Sequence, residues 1–168
     1  MKLLKYVKLI GLSFGIFILS SFVFKQTEEA TTKYKCMVQL VNYTGEGAYI
    51  MVSLLDNNGK YLKTLQVLGD DEEWYPDLPK WWKFHRDNDK PKIDAITGAT
   101  IAGGERSIFV LEIEDALLDS GNQLRFETAV EDQDYHEKDL QIPLTTKNVK
   151  GKFEGSGYIR YVRMIPNR

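Results

Sequence analysis

From Tyr34 onward the chain reads in steps of two, and this alternation limits the possible fold more than any other feature of its 168 residues. Between Gly47 and Asp56, Ile50, Val52 and Leu54 fall on one face and Tyr49, Met51 and Ser53 on the other. Asn57-Asn58-Gly59 then supplies residues that tolerate positive φ. The returning run, Lys60 to Leu68, sets Tyr61, Leu65 and Val67 against Thr64 and Gln66, so the two runs predict a hairpin. The same period recurs in Phe109, Leu111 and Ile113, and again where Leu124, Phe126, Thr128 and Val130 are set against Arg125, Glu127 and Glu131. A last run extends from Ser156 to Ile165, and Asp119-Ser120-Gly121-Asn122 marks a turn between strands. No segment after residue 34 sustains a helical period. About seven strands with regular turn signals predict an all-β fold, an antiparallel immunoglobulin-like β-sandwich.

Residues 1–33 read as a targeting segment. Lys2, Lys5 and Lys8 precede an apolar run from Leu9 to Phe24, and Lys25, Glu28 and Glu29 follow it. Ser20 and Ser21 are followed by bulky Phe22, Val23 and Phe24, so no small-x-small cleavage pair closes the run. Its 16 residues fall just short of the roughly 17–25 that span a bilayer. Both a cleaved signal peptide and a retained anchor helix at residues 9–24 stay open, with residues 34–168 as one extracytoplasmic domain. Cys36 follows Lys33-Tyr34-Lys35, which is unlike a lipidation site, and its Tyr-Lys-Cys-Met-Val-Gln-Leu context suggests a buried strand position. As the only cysteine it cannot form an intramolecular disulfide. Residues 1–25 hold four lysines and no acid, so a formal charge of −2 for the whole chain becomes −6 for residues 26–168. With no basic stripe left, nucleic-acid binding is excluded.

The period breaks between Asp70 and Glu105, which predicts a long central loop. Loops of that length without structure of their own are uncommon and tend to be functional. Trp74, Trp81 and Trp82, all the tryptophans of the chain, lie here with Tyr75 and Phe84. Aromatic residues at that density form a small satellite core beneath the loop, or present a flat apolar wall to a ring-shaped ligand, and the two readings are compatible. His85 and His136, with Asp87, Asp89, Asp134 and Glu137 nearby, lack the convergence of a metal site. Asp87-x-Asp89 resembles the start of a calcium loop, but Pro91 and the missing glycine spoil it. Asp70 to Glu73 reads as a solvated strand end, and no Ser/His/Asp or Cys/His set has the spacing of a hydrolase.

One stretch in this segment suggests chemistry: Asp94-Ala95-Ile96-Thr97-Gly98-Ala99-Thr100. Read alone, it is a turn, with Gly98 giving backbone freedom and Thr97 and Thr100 local hydroxyl bonds. It also resembles the flavinylation motif Asp-x-x-Ser/Thr-Gly/Ser-Ala-Thr of covalent FMN-binding proteins, which include subunits of the sodium-pumping NADH:quinone reductase and of the Rnf electron-transfer complex. In those proteins a flavin transferase joins the FMN phosphate to the last Thr hydroxyl. The resemblance therefore implies FMN on Thr100, with Asp94, Thr97, Gly98 and Ala99 as the recognised loop. Small neighbours suit a transferase that must bring a hydroxyl in line with phosphorus. Trp81 and Trp82 become candidate ring contacts.

A second resemblance covers most of the exported part. The leader, the strand pair ending Gly59-Lys60-Tyr61-Leu62-Lys63-Thr64-Leu65, Trp81/Trp82, the Asp94–Thr100 stretch and Gly103-Gly104 occur in an order similar to that of a bacterial predicted periplasmic family, DUF2271. That resemblance implies partners of the PepSY membrane type and a link to electron transfer or iron assimilation. The function expected is an exported redox carrier with covalent FMN rather than an enzyme with its own substrate. The alternative is a cofactor-free periplasmic binding module in which the loop is a structural turn and the tryptophan segment contacts another protein.

Overall fold

The computed structural model describes residues 30–88 and 96–167 of the chain, so the expected leader helix and Asp94 lie outside the described residues. Strand β1 (Thr31–Leu40) begins three residues before the expected domain start at Tyr34, because Thr31 and Thr32 already pair with Glu114 and Ile113. It is followed by β2 (Tyr49–Leu55), β3 (Tyr61–Leu68), helix α1 (Pro79–Asn88), β4 (Thr97–Gly98), β5 (Arg106–Glu114), β6 (Gln123–Ala129), β7 (Tyr135–Pro143), β8 (Lys152–Phe153) and β9 (Ile159–Pro166). Two sheets form, with orders β5-β1-β9-β8 and β4-β3-β2-β6-β7. The two-sheet β architecture expected from the alternation is present. The second sheet is mixed rather than antiparallel throughout, since β4 runs parallel to β3.

The main core lies between the sheets. Cys36, Val38 and Leu40 of β1, Leu111 and Ile113 of β5 and Val162 and Met164 of β9 face Ile50, Val52 and Leu54 of β2 and Leu124 and Phe126 of β6. Burial pushes the Cys36 thiol up, so it stays protonated and inert. The β2–β3 hairpin closes as the turn residues predict. Gly59 takes φ +80°, and Asp56 Oδ1 accepts from the N–H of Asn58 (2.8 Å) and Lys60 (2.9 Å).

Two expectations are corrected. β3 is not one continuous alternation: its register with β2 slips at Leu65 and Leu62, so Leu65 packs on the main core while Val67 and Tyr61 turn to the opposite face. The central segment is not a bare loop either. A 3₁₀ turn (Glu72–Asp77), capped by Asp71 accepting from the Glu73 N–H, leads into α1. Helix α1 opens on Pro79, which suits a first helical turn, and buries only Trp81 and His85, one turn apart. Two inward positions in ten residues are too few to write a period into the sequence.

This segment covers the outer face of the second sheet. Tyr75, Leu78 and Trp81 pack on Tyr49, Met51, Val67 and Ala129, forming the satellite core that aromatic density predicts. The alternation in β2 thus separates two buried faces, not a buried face from a wet one.

Candidate functional site

Residues 96–101 contain the described part of the motif, Ile96 to Thr100, and they are held at both ends. Buried Gln66 donates through Nε2 to the Ile96 carbonyl (2.6 Å), Val67 and Leu68 pair with Thr97 and Gly98, and the Gly69 N–H reaches the Gly98 carbonyl at 2.6 Å. On the other side Ile101 exchanges backbone bonds with Ala48 (2.8 and 3.2 Å), and the Tyr43 hydroxyl donates to the Ile101 carbonyl (2.7 Å). Ala99 and Thr100 are therefore a two-residue span fixed between anchors. Ala99 is exposed and Thr100 is half-buried.

Thr100 rests on Gly47. A Cβ at position 47 would lie 2.3 Å from Thr100 Oγ1 and 2.6 Å from Thr100 Cβ, far inside contact distance. Only glycine leaves that space, so Gly47 sets where the hydroxyl sits. Gly47→Ala is expected to push Thr100 out of place at a cost of about 1–3 kcal/mol. A lowered midpoint in chemical denaturation, with the Thr100 methyl resonance displaced, checks it; an unchanged midpoint and resonance would sever the link between the two residues.

The Thr97 hydroxyl bonds the Tyr75 phenol. Tyr75 also donates to the Gly69 carbonyl (3.1 Å), and burial, then Glu72, push its phenol up to about 12. Through Tyr75 the motif touches the aromatic lobe, because the Trp81 ring stands edge-on to Tyr75 at 5.2 Å. Trp81 is fully buried, donates Nε1–H to Thr64 Oγ1 (3.0 Å) and stacks on His85 at 4.9 Å. It is a core residue whose faces are already covered. Trp82 is half-buried and lies 6.0 Å from the Tyr75 ring, so of the two tryptophans it alone retains surface for a ligand. His85 is likewise buried rather than on the surface, and no group of metal-ligating residues occurs among the described residues.

The rim beside Gly47 is acidic. Glu131's carboxyl is raised by partial desolvation and then by Asp132, Glu46, Asp77 and Glu73, which places these acids on one patch next to the Glu46–Gly47 corner.

The alternation predicts Arg125 and Glu127 on the polar side of β6, yet both are buried. Tyr61 and Tyr135 each donate a hydroxyl to Glu127 at 2.5 Å, and Phe84 of α1 stacks on Tyr61 at 5.3 Å. Arg125 donates to Gln141 (2.8 Å), to the Tyr61 hydroxyl (3.2 Å) and to Glu137 (3.3 Å). Burial raises the Glu127 carboxyl to about 7, and the two phenols and Arg125 only partly offset it. Native protein then holds a proton that the unfolded chain loses near 4.5, so stability falls as pH rises from about 4.5 to 7 and is level above. Glu127→Gln is expected to remove most of that slope, on the order of 1–3 kcal/mol, in urea unfolding compared at both ends of the window. An identical slope in the variant would assign the pH dependence to other groups.

The family described as "Predicted periplasmic protein (DUF2271)" matches residues 31–161, from the first residue of β1 into β9. The chain belongs to this family. The DUF2271 match spans both sheets, the aromatic lobe and the motif span, so it covers every element that builds the site, and the family description supports an extracytoplasmic location. No curated protein and no solved structure matches the chain.

Gly47, Tyr75 and the buried Glu127 set escape a reading of the sequence. Their partners lie 53, 22 and 66 positions away, at Thr100, Thr97 and Tyr61, and no local pattern connects them.

Proposed function

We propose that this DUF2271 protein carries FMN esterified through its phosphate to Thr100 and relays electrons outside the cytoplasm, on a β-sandwich of immunoglobulin-like layout. The observation that carries this reading is the match of Asp94, Thr97, Gly98, Ala99 and Thr100 to the flavinylation pattern at a span with an exposed Ala99 and a hydroxyl seated in a gap that only glycine leaves. With a flavin adenine dinucleotide as donor, attachment would join Thr100 Oγ to the flavin-side phosphorus and break the pyrophosphate bond, so that AMP leaves, the hydroxyl proton is released, and the chain gains FMN less water. When bound, the flavin supplies the redox chemistry.

The chain's own contributions follow from its geometry. Gly98 and Ile101 hold the acceptor span still, which lowers the entropic cost of presenting Thr100 to a transferase. Ala99, bearing only a methyl, leaves the approach open. Thr97 is tied to Tyr75, so its role is to fix the span rather than to face the phosphate. Trp82 is the flank available to a ring. The acidic patch beginning at Glu46 disfavours added negative charge nearby and would favour a lower reduction potential. By resemblance the partners are a flavin transferase and a PepSY-type membrane protein, with iron assimilation as one setting, and residues 9–24 serve as the membrane anchor if they are retained.

The test is flavin fluorescence of the denatured, gel-separated protein after co-expression with a flavin transferase. Wild type and Thr100→Ser are expected to fluoresce and Thr100→Ala to be dark; fluorescence equal in all three, or absent from all, contradicts the proposal. The burial of Trp81 removes one of the two candidate ring contacts and so favours a second reading, a cofactor-free binding module with a structural loop, in which Trp82 is the tryptophan left to meet a partner. In that case partner binding is indifferent to Thr100→Ala.

A further inference from the structure

The four sheet edges are not alike. β7 is broken by a register slip against β6, carries Lys138 and ends on Pro143, and Ser156 N–H covers its Asp139 carbonyl (2.8 Å). β3 carries two slips and is capped at one end by β4, while β4 and β8 are two residues long. These are the usual devices that stop a sheet from recruiting another strand. β5 has none of them: nine residues, no proline, no lysine and an unbroken register with β1.

The register shows which groups of β5 are left over. Asp115 N–H bonds the Ala30 carbonyl and Leu40 N–H bonds the Glu105 carbonyl, so odd-numbered β5 residues point their backbone groups at β1. Even-numbered residues, Arg106 to Glu114, turn theirs to the open edge. The same residues carry the exposed side chains, with Ile108 56% and Val110 41% exposed. Polar backbone and apolar side chains therefore seek a partner along one line. The charges also sort by end, Arg106 at the start and Glu112 and Glu114 at the finish.

We propose that β5 pairs antiparallel with β5 of a second copy of this chain, about a two-fold axis at Phe109. In that register Ile108 lies opposite Val110 and Arg106 opposite Glu112, twice each by symmetry. A parallel arrangement would instead set Arg106 beside Arg106 and Glu112 beside Glu112. Antiparallel pairing also satisfies the outward N–H and C=O groups and joins two four-stranded sheets into one of eight. The interface is independent of whether Thr100 carries a flavin.

Sedimentation velocity of the full chain in a mild non-ionic detergent tests it, over a range of protein concentrations. The wild type is expected to dimerise. Val110→Lys, and separately Ile108→Lys, should raise the dissociation constant at least about tenfold while leaving the denaturation midpoint unchanged, since both positions are exposed in the single chain. Arg106→Glu should weaken the dimer and Arg106→Glu with Glu112→Arg should restore it. A wild type that stays monomeric, a dimer indifferent to both lysines, or a charge swap that fails to restore association would each overturn the proposal.

Discussion

Asp139→Ala is expected to be the most destructive single substitution in the domain, lowering stability by about 4 kcal/mol or more in chemical denaturation. Asp139 is a buried carboxylate on β7 whose oxygens accept from the N–H groups of Ser156 (3.0 Å), Gly157 (2.8 Å) and Ile159 (2.9 Å) and from the Thr128 hydroxyl (2.7 Å). It binds the loop before β9 in one sheet to β6 and β7 in the other. Alanine would strand four donors in or near the core, each costing roughly 1–3 kcal/mol. A domain of this size has only about 5–15 kcal/mol to lose. Asp139→Asn keeps the shape but gives up one accepting oxygen, so it should fall between the two. A loss under about 1 kcal/mol for alanine would mean that the loop is held by other contacts.

Trp81→Ala is expected to cost about 3–5 kcal/mol, the usual range for emptying a fully buried tryptophan site. Its ring joins Tyr75, His85 and Trp82 in the satellite core, and its Nε1–H is tied to Thr64. The loss is expected to be local as well as global. Residues 72–88 should become cleavable in limited proteolysis under conditions where the sheets resist, because only this lobe depends on the ring. Trp82→Ala, at a half-buried position, should cost far less and leave the lobe protected. Equal effects of the two substitutions would contradict the division into a core tryptophan and a surface one.

The sequence exposes the strands whose two faces differ. β1, β2, β5, β6 and β9 are legible because a greasy face alternates with something else. β7 is not, since Asp139, a charged residue, occupies a buried position and is satisfied by a loop seventeen residues on. α1 is hidden because Trp81 and His85 are its only buried side chains. Arg125 and Glu127 look like a solvent face and are buried, since Tyr61, Tyr135 and the aromatic lobe supply what water would have supplied. The motif itself is legible as chemistry, while the Gly47 gap that seats Thr100 appears only once β2 and the span are side by side.

The central claim is a phosphoester on Thr100, and the most direct test is mass mapping of the protease fragment containing residues 96–101 from full-length protein co-expressed with a flavin transferase. The account predicts a fragment heavier by FMN less water, with fragmentation placing the addition on Thr100, and no such fragment from Thr100→Ala. An unmodified fragment in the wild type, or an adduct that persists in the alanine variant, would contradict it.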